Sequence, residues 1–553
     1  MKKIFIAVSA ILSLAMLAGC SDFLNPEEYG ASLAWETEED INKALYSLVS
    51  YVSNDEAEGI TGRGIAWCEC CSDNVTVGRT QAEGNSIRDF KMTSTNGRDL
   101  KHNWRVMYNL NAKCNNLIAK VPGMKFSEEF KNKALGTAYF FRGFAMLWIA
   151  PLYGDGGYNG GIPIILDTTE PSQMDIPRPS SVTENYDQII SDFRTAAGYL
   201  RPFSQLAPEE YGMPHKAAAW AFAARAALYA AEYDAKYYDT VIEMCDNVIN
   251  MTGADKRELF PDFAKLWRKE NNFSKEYIFA LLGNATDGPK YHGMSFQNGG
   301  WNLYNTWGYF QPTYNLYLAF EEGDVRREAT ILMPGDHIKF VGNDVLFGGH
   351  APCVTRWNSN GTANRTTADY NYTISSDTGL TFRKFMSPWE EFNCKGKEVN
   401  SNTDNSSNTL ATCLMRFADV LLMKAEALIW TKGEGNAEAK TLLGQIRSRA
   451  GLPSENGATK AELKNQRRCE LAFELQPQRH IDNIRWGDAK ELYAQPTLKI
   501  TSSWDNTNKK VVIGAPVHYD EGRNFDPQKD HVFAIPSTAF SGTVNLVQNK
   551  GFE

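Results

Sequence analysis

Residues 217–231 hold ten alanines in fifteen positions. Alanine is the strongest helix former, and its small side chain lets neighbouring helix axes come close. The stretch is therefore read as a helix packed tightly among others. A three-residue break, Glu232 to Asp234, leads into a second helix. There Tyr238, Val241, Ile242, Cys245, Val248 and Ile249 form a single apolar stripe,. Two helices joined by so short a turn make an antiparallel hairpin. A similar pair recurs later. Met415 to Trp430 carries Ala418, Leu421, Leu422, Ala425, Leu428 and Ile429 in register, the turn Lys432 to Asn436 follows, and a further helix runs to about Ala450. Small residues at the contacts of helix hairpins are a feature of tetratricopeptide units, which repeat about every 34 residues. Here the pairs are irregular and far apart, which excludes a simple tandem array and leaves a generic Ala-rich helical domain as the plainer reading.

Helical spacing also covers Glu38 to Val52 (Ile41, Ala44, Leu45, Leu48, Val49), residues 99–120, residues 128–150 and Thr183 to Leu200,. Pro151 lies just past the third of these and is expected to stop it. Two stretches lack the period. Residues 151–180 are rich in Gly and Pro, and residues 283–410 are dense in Gly, Asn, Thr and aromatics. A non-helical segment of that length inside a compact protein is usually functional. The 553 residues suffice for a large core, and the net charge of −9 argues against nucleic acid as a partner,.

Lys2 and Lys3 precede an apolar run from Ile4 to Leu17, and Leu17-Ala18-Gly19-Cys20 follows. A positive start, a short apolar stretch and small residues at the cut describe a signal peptide over residues 1–19. The four residues at the cut resemble a bacterial lipobox, so Cys20 is assigned as the lipidated anchor, with residues 20–34 as a tether. Several acyl tails hold a protein on a membrane where one does so only marginally. Of the ten cysteines, Cys68, Cys70 and Cys71 cluster. No further CxxC or nearby His completes a zinc set, so buried thiols or one local disulfide is the preferred reading.

Other landmarks occur in a fixed order. Ala138-Tyr139-Phe140-Phe141-Arg142-Gly143-Phe144 leads into Leu152-Tyr153-Gly154 and Gly161-Ile162-Pro163. Met415-Arg416-Phe417-Ala418-Asp419 opens a later helix, and Arg467-Arg468-Cys469-Glu470-Leu471-Ala472-Phe473-Glu474 precedes Ile484-Arg485-Trp486-Gly487. Phe533-Ala534-Ile535-Pro536 and Asn545-Leu546-Val547-Gln548-Asn549 stand near the end. Together with the lipobox and the following Ser21-Asp22, this set resembles the SusD/RagB family of outer-membrane nutrient-binding lipoproteins. The resemblance implies a mainly α, SusD-like fold: irregular tetratricopeptide-like hairpins, about residues 35–250 and 411–490, supporting a loop-rich, ligand-facing region with short strands, about 283–410, within one domain from 35 to 553. It further implies a lipid-anchored protein of the outer membrane facing the exterior, which binds an oligosaccharide or polysaccharide and acts as a lid on a SusC-like TonB-dependent transporter. The membrane would be touched only through the anchor. The alternatives are a binder of peptide or another nutrient on the same scaffold and, further off, a surface glycoside hydrolase. Pro477, shortly after Glu474, departs from the family pattern and is expected to break the local helix.

No His-Glu-x-x-His, Gly-x-Ser-x-Gly or Walker-type loop is present,. Asp155 and Asn159 hint at a calcium loop, but the twelfth position from Asp155 is Leu166, which fails the EF-hand pattern,. No enzyme activity, metal or cofactor is expected, and a structural calcium ion is not indicated. The charges Arg416, Asp419, Glu426, Arg467, Glu470, Glu474 and Arg485 sit in otherwise apolar helices, and their expected task is to pair between packed helices. The aromatic share of 12% is the stronger clue. Sugars present flat C–H faces to Trp and Tyr rings and hydroxyls to amides, and rings bring large contact area at low entropic cost. Trp301, Asn302, Tyr304, Asn305, Trp307 and Tyr309 alternate aromatic with amide groups in the stretch Tyr291–Tyr317 and are the first choice for ligand contact. Trp67 and Trp357, with Tyr370 and Tyr372, come second.

Overall fold

The structure is a computed structural model. It describes residues 35–52, 67–78, 81–96, 98–169, 175–282, 308–340, 376–385, 411–474 and 476–553, together with the short strands 343–346, 350–351, 355–357, 363–365 and 370–371. The signal peptide, Cys20 and the tether lie outside the described residues.

The chain divides into two compact units, Met1–Tyr46 and Ser47–Glu553. Helix α1 (Glu38–Val52) begins in the first. The Asp40 carboxylate accepts from Thr37 N at 2.9 Å and from Thr37 Oγ1 at 2.7 Å, which satisfies donors that a helix start leaves free,. Ile41, Leu45, Leu48 and Val52 are its buried positions, with the expected Ala44 and Val49 half-buried beside them.

The second unit carries both the scaffold and the loop-rich region, and the fold is mainly α. Helices α2 (Arg98–Lys120), α3 (Glu128–Tyr153), α4 (Val182–Tyr199), α5 (Lys216–Ala230) and α6 (Tyr237–Ile249) each pack on the next. Helix α3 runs through Pro151 to Tyr153 instead of stopping before it. Its last turn is held in the core, where Leu152 and Tyr153 are buried, and packing there outweighs the backbone bond that proline cannot make,. The Ala-rich α5 is buried from Ala217 to Ala219 and from Ala221 to Ala230. An aromatic cluster fills the space between α3, α4 and α5. Phe140 lies 5.5 Å from Phe193, 5.7 Å from Phe222 and 5.0 Å from Phe279, mostly edge to face,. Gly143 permits the α3–α4 approach, since a Cβ there would sit 3.3 Å from Asp192 Cβ and from Ile189 O. The neighbouring Arg142 donates Nε to Asp192 Oδ2 at 2.9 Å and Nη2 to Oδ1 at 2.8 Å.

Helix α6 then packs on α7 (Phe417–Lys432), which lies far along the chain, and α7 packs on α8 (Ala437–Arg449) and α9 (Lys460–Leu471). Met415 and Arg416, expected to open α7, belong instead to the strand Thr412–Arg416. That strand pairs antiparallel with Tyr277–Leu281, placing Thr412 opposite Leu281. The pairing brings the two ends of the loop-rich excursion together in a neck at Leu281 and Thr412. Within the excursion the described elements are short: the helices Tyr314–Ala319 and Val325–Thr330, and strand pairs such as His337–Phe340 with Asn343–Leu346. Pro477 does not interrupt a helix but stands at the start of α10 (Gln478–Arg485), where Ile481 N donates to its carbonyl at 2.9 Å.

Candidate functional site: the base of the aromatic region

The charges in the helices do pair as their placement suggested. Arg416 donates to Glu276 at 2.8 Å, Glu470 at 2.5 Å and Glu474 at 2.6 Å, all in the core. Asp419 accepts from Arg225 at 2.7 Å and Arg467 at 2.5 Å, and Arg467 also reaches Asp482 at 2.6 Å. Burial opposes ionisation of Asp419, but the two guanidinium groups outweigh it and bring its carboxyl down to about 2,. Glu426 accepts from Arg485 and, at 2.9 Å, from Trp486 Nε1. These groups therefore lock the scaffold elements together.

The same helices hold the base of the aromatic region. Asp73 accepts from Arg479 Nε at 2.9 Å and from Asn483 Nδ2 at 3.1 Å, and pairs with Arg468 at 2.9 Å. Burial works against its charge, yet Arg468 and Arg479 hold the carboxyl well below the usual range. Arg468 also donates Nε to Asn74 Oδ1 at 2.7 Å. The strand that follows, Val75–Val77, pairs antiparallel with Phe310–Pro312. Gln311 clamps that partner strand from its other side. Its Oε1 accepts from Asp377 N at 2.9 Å and Ser376 Oγ at 3.2 Å, while its Nε2 donates to Gly308 O at 3.2 Å. Gly78 is required here because a Cβ would lie 2.1 Å from Gln311 Nε2.

This clamp settles the surroundings of two of the expected ligand residues. Trp67 is 2% exposed and Tyr309 is 6% exposed. The Trp67 ring lies 4.7 Å from Phe310 and 5.6 Å from Tyr309, and a Cβ on Gly84 would meet it at 2.8 Å. Both rings are buried, Trp67 against Phe310 and Tyr309 against Trp67, so the structure corrects their placement from ligand face to supporting core. Trp301, Asn302, Tyr304, Asn305 and Trp307 lie outside the described residues, and so does Tyr372. Trp357 is described only through its backbone, in the strand Thr355–Trp357 opposite Ala363–Arg365, and Tyr370 through the strand Tyr370–Asn371. What the structure does bring together is the clamp and, just after it, Tyr314 and Tyr317. These two half-buried rings stack at 5.3 Å and 11°, with Arg327 5.1 Å from the Tyr317 centroid. Their separation by three residues on a helix was the available signal, since such neighbours share a face.

Asp155 has no calcium-like surroundings. Its carboxylate accepts from Gly157 N at 2.8 Å, Asn159 N at 3.0 Å and Asn159 Nδ2 at 2.6 Å, with His531 Nε2 at 3.0 Å. Its partners are donors, not the oxygen ligands of a hard cation. The seven described cysteines, including Cys68, Cys70 and Cys71, are buried and form no disulfide with one another.

Comparison with known proteins agrees with this architecture. The model of the SusD family matches residues 268–552, and a second model, described as starch-binding associating with outer membrane, matches residues 22–228. A curated relative, SusD-like protein P38 of Formosa agariphila, is 24% identical over 535 residues and covers 94% of each chain. Among solved structures, a SusD-like protein from Bacteroides fragilis superposes with a TM-score of 0.71 at 22% identity, over 96% of this chain and 99% of that one. Surface glycan-binding protein A from Bacteroides thetaiotaomicron, solved with laminarihexaose, gives 0.66 at 16% identity, over 92% and 99%. With more than half its length matched by the family model, the chain belongs to the SusD family.

Proposed function

We propose that this protein is a cell-surface lipoprotein, anchored at Cys20, that binds an oligosaccharide or polysaccharide and delivers it to a SusC-like TonB-dependent transporter. The observation that carries the reading is the clamp at residues 308–312. It holds residues 308–312, which follow Trp301–Trp307 in sequence and lead into the stacked Tyr314–Tyr317 pair. Rings and amides anchored on a rigid base suit a ligand with flat apolar faces and many hydroxyls. The glycan complex of a relative with the same fold supports the ligand class. The protein binds and hands over; cleavage of the glycan is not part of its role. The outer-membrane wording of the second family model supports the location. A glycan array, followed by calorimetry on any sugar that binds, tests the reading. The variant Trp301→Ala/Trp307→Ala is expected to weaken that binding at least tenfold with the fold intact. Unchanged affinity, or release of reducing ends from the bound glycan, would overturn it.

A further inference from the structure

A second concave site lies away from the aromatic region. It is a cleft of about 340 Å³, bounded by the glycine turn after α3, the α5–α6 turn, the end of α10 and residues 525–531. Its floor is built. The hydrogen bonds of Asp155 fix the glycine turn and hold His531 against it. Gly156 lies against the Tyr233 ring so closely that a Cβ would come within 2.2 Å of it. Beneath the turn, Arg178 donates to the carbonyls of Tyr153, Gly160 and Gly161 at 2.6–2.9 Å.

The polar groups around this floor are not all used by the fold. The Glu232 carboxyl and the Lys490 ammonium line the cleft, and neither makes a hydrogen bond or ion pair with another described residue. His531 Nδ1 is buried and also without a hydrogen-bond partner among the described residues. Tyr158, 59% exposed, stands at the rim with the Lys550 ammonium 4.6 Å from its ring centroid, which leaves the opposite ring face for a ligand, and Phe525 supplies an apolar wall. One free acid and one free amine give no preference for a polyanion or a polycation. A neutral ligand with hydroxyls and a flat C–H face uses all of these groups: the acid and amine take hydroxyls, and the ring takes the face. The volume is at the low end of the roughly 300–1,000 Å³ usual for ligand sites, which favours one or two rings over a chain.

We propose that this cleft is a second saccharide site, taking a terminal sugar or disaccharide with Tyr158 against the ring face and Glu232 and Lys490 on its hydroxyls. It goes beyond the aromatic-region reading and shares no residue with it. The experiment is saturation-transfer NMR on the full chain in detergent, at millimolar sugar, with methyl glycosides of glucose, galactose, mannose and N-acetylglucosamine and with laminaribiose and maltose. At least one of these is expected to bind, and Tyr158→Ala and Glu232→Gln are each expected to weaken it about tenfold. Tyr158 is exposed, so its removal leaves the fold in place. Trp301→Ala/Trp307→Ala is expected to leave this binding unchanged. Absence of binding by every member of the panel overturns the proposal. So does binding that the tryptophan variant abolishes and Tyr158→Ala leaves intact, an outcome that would at the same time support the aromatic-region site.

Discussion

Replacing Arg178 by Met should loosen the C-terminal tail and the glycine turn together. The guanidinium donates Nε to Gly161 O at 2.6 Å, Nη2 to Gly160 O at 2.8 Å and to Tyr153 O at 2.9 Å, and Nη1 to Asn549 Oδ1 at 2.7 Å and Val547 O at 3.1 Å. The five bonds are not equal in consequence. Tyr153 O keeps a donor in Asn549 Nδ2 at 3.0 Å, and Gly160 O keeps Asp155 N at 3.0 Å. Val547 is exposed, and water replaces the arginine there. Gly161 O and Asn549 Oδ1 are the acceptors left without a donor, in a residue pair of which Asn549 is fully buried. Each orphaned acceptor costs about 1–3 kcal/mol, so the local loss is about 2–6 kcal/mol. Hydrogen exchange followed by mass spectrometry reads this directly, because the loss appears as opening of peptides covering 154–161 and 544–550 while α5 and α7 stay protected. In the regime where exchange follows opening equilibria, the loss corresponds to roughly 30- to 20,000-fold faster exchange in those peptides. A change below about fivefold, or equal acceleration throughout the chain, would refute the assignment of Arg178 as the tie between turn and tail.

Three further outcomes are expected. Asp419→Ala leaves Arg225 buried without a carboxylate, while Arg467 keeps Asp482; breaking a buried pair in this way costs about 3–5 kcal/mol, measured as a drop in the urea midpoint, and an unchanged midpoint would contradict it,. Burial, aided by Arg257 near His215 and Arg523 near His480, pushes both imidazoles down to about 3. Below the unfolded value of about 6.5 the unfolded chain then binds protons that the folded chain does not, so stability falls as pH drops, by about 2 kcal/mol per histidine at pH 5. Urea melts at pH 7 and pH 5 check this, and equal stability at the two values would show that the histidines are solvated. Cys20→Ala should abolish acylation and release the protein from membranes, as read by fractionation and mass spectrometry; retention on the membrane without acylation would refute the anchor.

The helices were legible because their apolar periods are local. The alanines of α5 and the stripe of α6 mark themselves without any partner, and the structure places both hairpins as that spacing requires. Ends were less legible where tertiary packing decides. Pro151 reads as a stop, but burial of Leu152 and Tyr153 carries α3 past it. Met415 fits a helical stripe, but pairing with Phe279 across the neck claims it for a strand. That pairing joins residues more than 130 positions apart, and no local period encodes it.

The site shows the same division more sharply. Composition locates a reservoir of rings but carries no information on which faces are covered. Trp67 and Tyr309 satisfy every compositional criterion for ligand contact, yet each is closed over by a contact distant in sequence: Trp67 by Phe310, and Tyr309 by Trp67. The charged motifs, by contrast, could be assigned to structure in advance, because an unpaired charge in an apolar helix is too costly to leave alone. What the sequence could not reveal is that this pairing reaches the site. Arg468 and Arg479 hold Asp73, Asp73 leads into the strand Val75–Val77, and that strand fixes Phe310–Pro312. The buried ion pairs and the strand pair Val75–Val77 with Phe310–Pro312 are therefore one construction. A substitution at Arg479, which holds Asp73, should disturb ligand binding through the clamp, whereas loss of Glu426, which anchors Arg485 and Trp486 instead, should lower stability with the clamp unmoved.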